Sequence, residues 1–246
     1  LKSLFIVISA KTVKRFIIGG LLLFLIIFLT YSKVQYINTF AKDNLLTNKT
    51  IVIDPGHGGI DGGTSYKNEI LEKDVNLDIS LKLHKELNGK NINVIMTREE
   101  DVSLENRSNL KSSRYRRDLH ARKSIINESN ADLFLSIHAN SNPRKIETKG
   151  VIIFYYKDSD KSKELALKIC ESIDHILYKN IAGYEEVKTE VLPNDYYILR
   201  ETNIPGVLIE VGFMTNVDDR KLLKNEKYQR RIAKAISKGV EEYVIQ

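Results

Sequence analysis

From Ile51 to the C-terminus, short apolar runs rich in β-branched residues alternate with longer segments of helical period, and that alternation leaves few folds open. Strand-like runs fall at residues 51–53, 92–96, 131–137, 150–156 and 206–211. Helical periods fall at 72–87, 118–127, 159–178, 217–224 and 226–244. In the first of these, Val75, Ile79 and Leu83 recur every four residues, and Gly89 offers a C-cap. In the last, Ile232, Ala235, Ile236, Val240 and Tyr243 form an inward stripe. Strands separated by helices pack as a parallel sheet covered by helices. The expected fold is therefore a single α/β domain over residues 50–246, with a twisted, mainly parallel sheet. Residues 181–192 show no pattern, and 196–199 read as a short strand or turn.

One segment stands apart. Residues 16–32, from Phe16 to Ser32, carry no charge and are dominated by Leu, Ile and Phe. At 1.5 Å per residue they are just long enough to cross a hydrocarbon core of roughly 30 Å. They lack the polar face of a helix lying on a globular domain. Lys11, Lys14 and Arg15 precede them, which places the N-terminus in the cytoplasm and the remainder outside. No small-x-small cleavage pattern stands near Tyr31-Ser32-Lys33, so an uncleaved transmembrane anchor is expected rather than a cleaved signal. The implied organisation is a cytoplasmic tip and anchor over 1–33, a polar linker over 34–49, and the folded domain over 50–246.

Charge bears on partners. A net charge of +6 invites an anionic one. Yet Lys2, Lys11, Lys14, Arg15 and Lys33 have no acidic counterpart before Asp43. Without those five, 33 bases face 32 acids, so the domain is near neutral and nucleic acid is not an expected partner. The basic exception is residues 99–117, from Glu99 to Arg117, where Arg107, Lys111, Arg114, Arg116 and Arg117 lead on to Arg122 and Lys123. It reads as an exposed insertion, either plain solvated surface or a docking surface for a polyanion, a membrane face or an activating protein partner. Cys170 is the only cysteine, which excludes an intrachain disulfide and a cysteine-based zinc site. Among Leu165, Leu167, Ile169 and Ile173 it reads as a buried helix residue.

Three strand-like runs end in residues of chemical use. Ile51-Val52-Ile53 stops at Asp54-Pro55-Gly56, where proline ends the ladder and glycine permits a sharp turn onto His57. Residues 131–137 end at His138, and 206–211 contain Glu210 next to their end. In an open α/β sheet the strand C-termini share one edge, where ligands bind. Glu72, opening a helix after the His57 loop, suits a helix N-terminus electrostatically and is also a candidate ligand. His57, Glu72 and His138 make a His2Glu set of the kind zinc hydrolases use, and Glu210 remains as a general base. His84, His120 and His175 sit in helical patterns and read as structural.

In order along the chain, Ile53-Asp54-Pro55-Gly56-His57-Gly58-Gly59, Glu72-Lys73-Asp74-Val75-Asn76-Leu77, Ser136-Ile137-His138-Ala139-Asn140 and Glu210-Val211-Gly212-Phe213-Met214-Thr215-Asn216 resemble the zinc-dependent N-acetylmuramoyl-L-alanine amidases of the amidase-3 family. The resemblance covers residues 50–244. It implies zinc ligands at His57, Glu72 and His138, a catalytic glutamate at Glu210, and hydrolysis of the amide between N-acetylmuramic acid and L-alanine in peptidoglycan. The segment between Arg98 and Ala121 is similar to that of the germination-specific amidases of spore formers. That implies a role preparing muramic-δ-lactam in the spore cortex and a position on the forespore or cortex side of the membrane. Residues 122–127 match the family's helix only loosely. Two further roles are expected from position alone: Arg200 on a stem-peptide carboxylate, and Asn140 on substrate. Two readings from other classes compete, a zinc peptidase cutting peptide cross-links and a non-catalytic, membrane-anchored wall-binding protein.

Overall fold

The computed structural model describes residues 9–66 and 69–246. The chain divides into two compact units, Leu1–Asn44 and Leu45–Gln246. The first is helical. Helix α1, Ala10–Leu46, runs through both the apolar segment and the stretch expected as a linker. The reason is local: no Gly or Pro interrupts the sequence between Gly20 and Pro55. Asn48, with φ 73°, provides the left-handed residue after which the chain turns away. The part from Ala10 to Ile37 is long and apolar enough to cross a membrane, and nothing in its most apolar window is buried. The N-terminal tip at residues 1–8 lies outside the described residues.

The second unit is a six-stranded sheet covered on both faces. After α1 come β1 (Thr50–Pro55), the small hairpin of β2 (Ser65–Tyr66) and β3 (Ile70–Leu71), α2 (Glu72–Asn88) and β4 (Asn93–Met96). Then follow α3 (Arg114–Glu128), β5 (Leu133–Asn140), β6 (Ile152–Tyr156), α4 (Asp160–Ile176) and β7 (Glu190–Asn194). The chain ends with α5 (Tyr197–Arg200), β8 (Gly206–Phe213), α6 (Val217–Leu223) and α7 (Glu226–Val244). The strand order is β4-β1-β5-β8-β6-β7. All neighbours pair in parallel except β6 against β8. The expected α/β architecture is what forms.

Period-two alternation sorts the side chains. Ile51, Ile53, Leu133, Leu135, Ile137, Val207, Ile209 and Val211 face a large core shared with α2, α4 and α7. Val52, Phe134 and Leu208 face a smaller one with Ile126 of α3 and Ile198 and Leu199 of α5. Each fully buried aliphatic side chain contributes about 1.5–3 kcal/mol, so the first face dominates stability.

Two local expectations need correction and two are refined. Residues 190–194, which overlap the end of the patternless stretch 181–192, form the edge strand β7. Residues 197–200 form a helical turn, the second of the two readings open for 196–199. Helix α3 begins at Arg114, capped by Ser113, which accepts from the Arg116 amide. Gly89 caps α2 as expected, in a right-handed conformation, while Asn91 takes the left-handed one.

Candidate active site

Parity along the strands continues into polar residues. Asp54, Ser136, His138 and Glu210 stand in step with Val52, Phe134 and Leu208, on the face covered by α3 and α5. Asp54 pairs in register with Ser136, and His138 with Glu210. The strand ends therefore place chemistry where the smaller core stops. A cleft of about 230 Å³ opens there, lined by His57, His138 and Glu210 and walled by Tyr115, Leu119, Tyr196, Tyr197, Ile198 and Leu208.

His57, Glu72 and His138 come together from three elements. One donor atom from each lies within 4.8 Å of the others. Glu72 Oε1 stands 3.1 Å from His57 Nε2 and 2.9 Å from His138 Nδ1. Glu72 Oε2 accepts from the Thr64 amide at 2.8 Å. His57 is oriented from behind by Asp61, whose Oδ2 lies 2.9 Å from Nδ1. A carboxylate behind an imidazole fixes the ring so that its other nitrogen faces the site. Two glycines clear the space. A Cβ on Gly56 would fall 2.2 Å from the His138 ring, and one on Gly63 would fall 2.6 Å from Glu72 Oε2. His57 itself has φ 61°, an unusual conformation for a residue with a Cβ.

The electrostatics follow from burial and proximity. Burial opposes ionisation of Glu72, yet the hydrogen bonds from His138 and His57 hold its carboxyl far below the ordinary range. Burial also opposes a charge on His57, but Glu72 and Asp61 raise it to about 9. Glu210 is different: burial lifts its carboxyl to about 7, with Glu72 adding to the rise and the histidines opposing it. Its Oε2 is buried and has no hydrogen-bond partner among the described residues.

The two position-based candidates lie elsewhere. Arg200 pairs with Asp195 at 3.0 Å and Glu201 at 2.9 Å and does not line the cleft. Asn140 uses its Oδ1 on the Ser141 amide and its backbone oxygen on the Met214 amide, shaping the end of β5. His84 bonds Asn88 and His120 bonds Ser108, both outside the cluster.

Several residues around the site escape sequence reasoning. Arg122, taken as part of an exposed basic run, is only 3% exposed. It reaches Asp118 (2.6 Å), Asp54 (2.7 Å), the Pro55 carbonyl (2.7 Å) and the His57 carbonyl (2.6 Å). Arg98 is equally buried. The available signal was the Asp118–Arg122 spacing of four, which pairs charges on one helix face. Asn76, one turn after Glu72, donates to the Gly56 carbonyl.

Comparison with known proteins agrees with this geometry. A family model described as N-acetylmuramoyl-L-alanine amidase matches residues 51–242. The germination-specific N-acetylmuramoyl-L-alanine amidase of Bacillus subtilis is 35% identical over 199 residues, covering 80% of this chain and 81% of that protein. The CwlD amidase of Clostridioides difficile, solved in complex with the GerS lipoprotein, superposes with a TM-score of 0.72 at 42% identity, over 80% of this chain and 99% of that one. An N-acetylmuramoyl-L-alanine amidase from Clostridium difficile 630 gives 0.68 at 34% identity, over 80% and 97%.

Proposed function

The chain belongs to the N-acetylmuramoyl-L-alanine amidases, and from that premise we propose that it is a zinc amidase that strips stem peptides from spore-cortex peptidoglycan. The observation that carries the catalytic part is Glu210. A buried carboxylate oxygen without a partner is costly unless something occupies the space it faces. It lines the same cleft as His57 and His138.

The donor set fits a zinc ion. Two imidazoles and one carboxylate from His57, Glu72 and His138 converge, Asp61 stands behind one imidazole, and three protein ligands are what a catalytic zinc takes. Zinc, when bound, supplies Lewis-acid polarisation of a carbonyl and acidifies water. The protein's own residues do the rest. The tyrosine-lined cleft holds the muramyl peptide with its lactyl-alanine amide beside Glu210. Glu210 accepts the proton of the attacking water and passes it to the departing L-alanine nitrogen. A carboxyl lifted to about 7 by burial suits both halves of that transfer near neutral pH.

The spore context is supported by the germination-specific relative of Bacillus subtilis. In that context this chain's reaction would leave muramic acid ready for δ-lactam formation. The apolar part of α1 serves as a membrane anchor, leaving the amidase unit on the cell-wall side. The exposed basic residues between Glu99 and Arg117 serve as a docking surface for an activating protein. The relative solved with a lipoprotein supports the existence of such a partner.

The test uses the full chain in detergent with purified peptidoglycan. Peptides with an L-alanine N-terminus, released by wild type with zinc and not by Glu210→Ala, are the expected products by mass spectrometry. Release of cross-link fragments instead would overturn the amidase reading of the site. Spores of a spore former carrying Glu210→Ala are expected to lack muramic-δ-lactam, and normal lactam content would remove the cortex role.

A further inference from the structure

We propose that Arg98 is a positioning residue that sets the separation between His57 and Glu72, and so the strength with which the site holds its metal. The inference rests on the zinc reading above and goes beyond it, since Arg98 touches neither metal donor.

The backbone explains why an arginine is needed. In β1, Ile53 turns its carbonyl to the β4 side and accepts from the Thr97 amide at 3.0 Å. Alternation carries Pro55 to the same side two residues later. There β4 has already ended at Met96, so no ladder partner remains. The Gly56 carbonyl follows, on a turn that must then enter the left-handed conformation of His57. These carbonyls lie at a buried strand end and need donors.

Arg98 shares that task with Arg122, which donates to Pro55, and with Asn76 of α2, which donates to Gly56. The Arg98 Nε donates to Pro55 at 3.0 Å and its Nη2 to Gly56 at 2.9 Å. The same Nη2 donates to the Lys73 carbonyl at 2.9 Å, and Nη1 donates to Glu100 at 3.0 Å. Lys73 is the second residue of α2, directly after Glu72. One planar fork therefore ties the turn that aims His57 to the helix start that aims Glu72. Every one of these bonds goes to a backbone carbonyl, so Arg98 reads the spacing of two chain segments, not a charge. Arg122 braces the same turn from the α3 side but makes no bond to α2. A lysine at position 98 keeps the charge but cannot span three carbonyls in one plane.

The test compares wild type, Arg98→Lys, Arg98→Gln and Ile236→Val as full chains in detergent. Ile236 is a buried residue of α7 in the opposite core, a control for general loss of stability. Zn2+ affinity is read by competition with a chromophoric chelator, and ligand geometry by the visible absorption of Co2+. Folding is checked by thermal melting. Arg98→Lys is expected to bind Zn2+ about 10–100-fold more weakly, the usual effect of losing support behind metal ligands. Its Co2+ spectrum should shift, while Ile236→Val keeps both properties.

Wild-type affinity and spectrum in folded Arg98→Lys and Arg98→Gln would overturn the proposal. So would an equal loss of affinity in Ile236→Val, or failure of both Arg98 variants to fold, since either assigns Arg98 to the fold as a whole. Absence of Zn2+ binding by wild type itself would strike the zinc reading and this inference with it, whereas binding insensitive to Arg98 strikes this inference alone.

Discussion

The two faces of the sheet are built from the same strands but made for different ends. On the α2, α4 and α7 side, the inward residues stay apolar along the strands: Ile51 and Ile53, then Leu133, Leu135 and Ile137, then Val207, Ile209 and Val211. On the α3 and α5 side, apolar residues stop halfway, and Asp54, Ser136, His138 and Glu210 take over. On the first face the strands contribute only apolar side chains, and the few buried polar groups, such as Ser80 and Ser237, come from the covering helices. The second is covered by a four-residue helix and by α3, which leaves a cleft. Function is thus concentrated on the face that contributes less to stability, and polar groups there are costly to bury but useful.

Neighbouring residues on β8 give the sharpest break. Glu210→Ala is expected to lower turnover by about 10²–10⁴-fold while leaving thermal stability unchanged or slightly raised, because an unpartnered buried oxygen is removed. Rates of peptide release beside a melting curve check it, and retained turnover would shift the proton-transfer role away from Glu210. Arg122→Met strikes the second face structurally. Asp54 and Asp118 would lose their buried partner, at a cost of about 3–5 kcal/mol by denaturant titration.

Ile209→Ala, one residue before Glu210 and on the opposite face, should cost about 2–5 kcal/mol while leaving turnover per folded molecule intact. If it instead lowered turnover without loss of stability, the division of labour between the faces would fail.

A subtler difference lies in acid stability. Burial works against ionising Asp54, but the Arg122 charge and hydrogen bonds from Thr97 and Ser136 hold its carboxyl below the ordinary 3.8. Its folded pKa is depressed, so its stabilising contribution is complete above the unfolded value and fades as pH falls toward the lower folded one. Asp54→Asn should flatten that part of the acid limb in a pH series of melting curves. The mildest change is on the first face. Burial raises the half-buried Cys170 thiol to about 11, so it should resist alkylation at neutral pH, and Cys170→Ala should shift stability by no more than about 1 kcal/mol. Rapid labelling of the native protein would contradict its place against the core.

Much of this was legible in the residues. The alternation of strands and helices predicts the α/β sheet, and the strand ends at His57 and His138, with Glu210 close to a third, predict one shared edge. Edge strand β7 was not legible, because Glu190-Val191-Leu192-Pro193-Asn194 is half exposed and holds a proline, and it reads as strand only beside β6. Arg122 reads as surface and Arg98 goes unremarked, because charge in a polar stretch ordinarily seeks water. What buries them is a set of carbonyls left without ladder partners where β1 outlasts β4, a mismatch of strand lengths absent from any local pattern.

By itself, then, the sequence determined the periodicities, the faces of each strand and the residue types that arrive at their ends, because these depend on neighbours along the chain. Only the tertiary structure decided which of those ends meet within hydrogen-bonding reach. It also decided that Arg200 is held by its own neighbours outside the cleft and that two arginines turn inward. Those outcomes depend on which backbone groups remain unpaired once distant segments have packed.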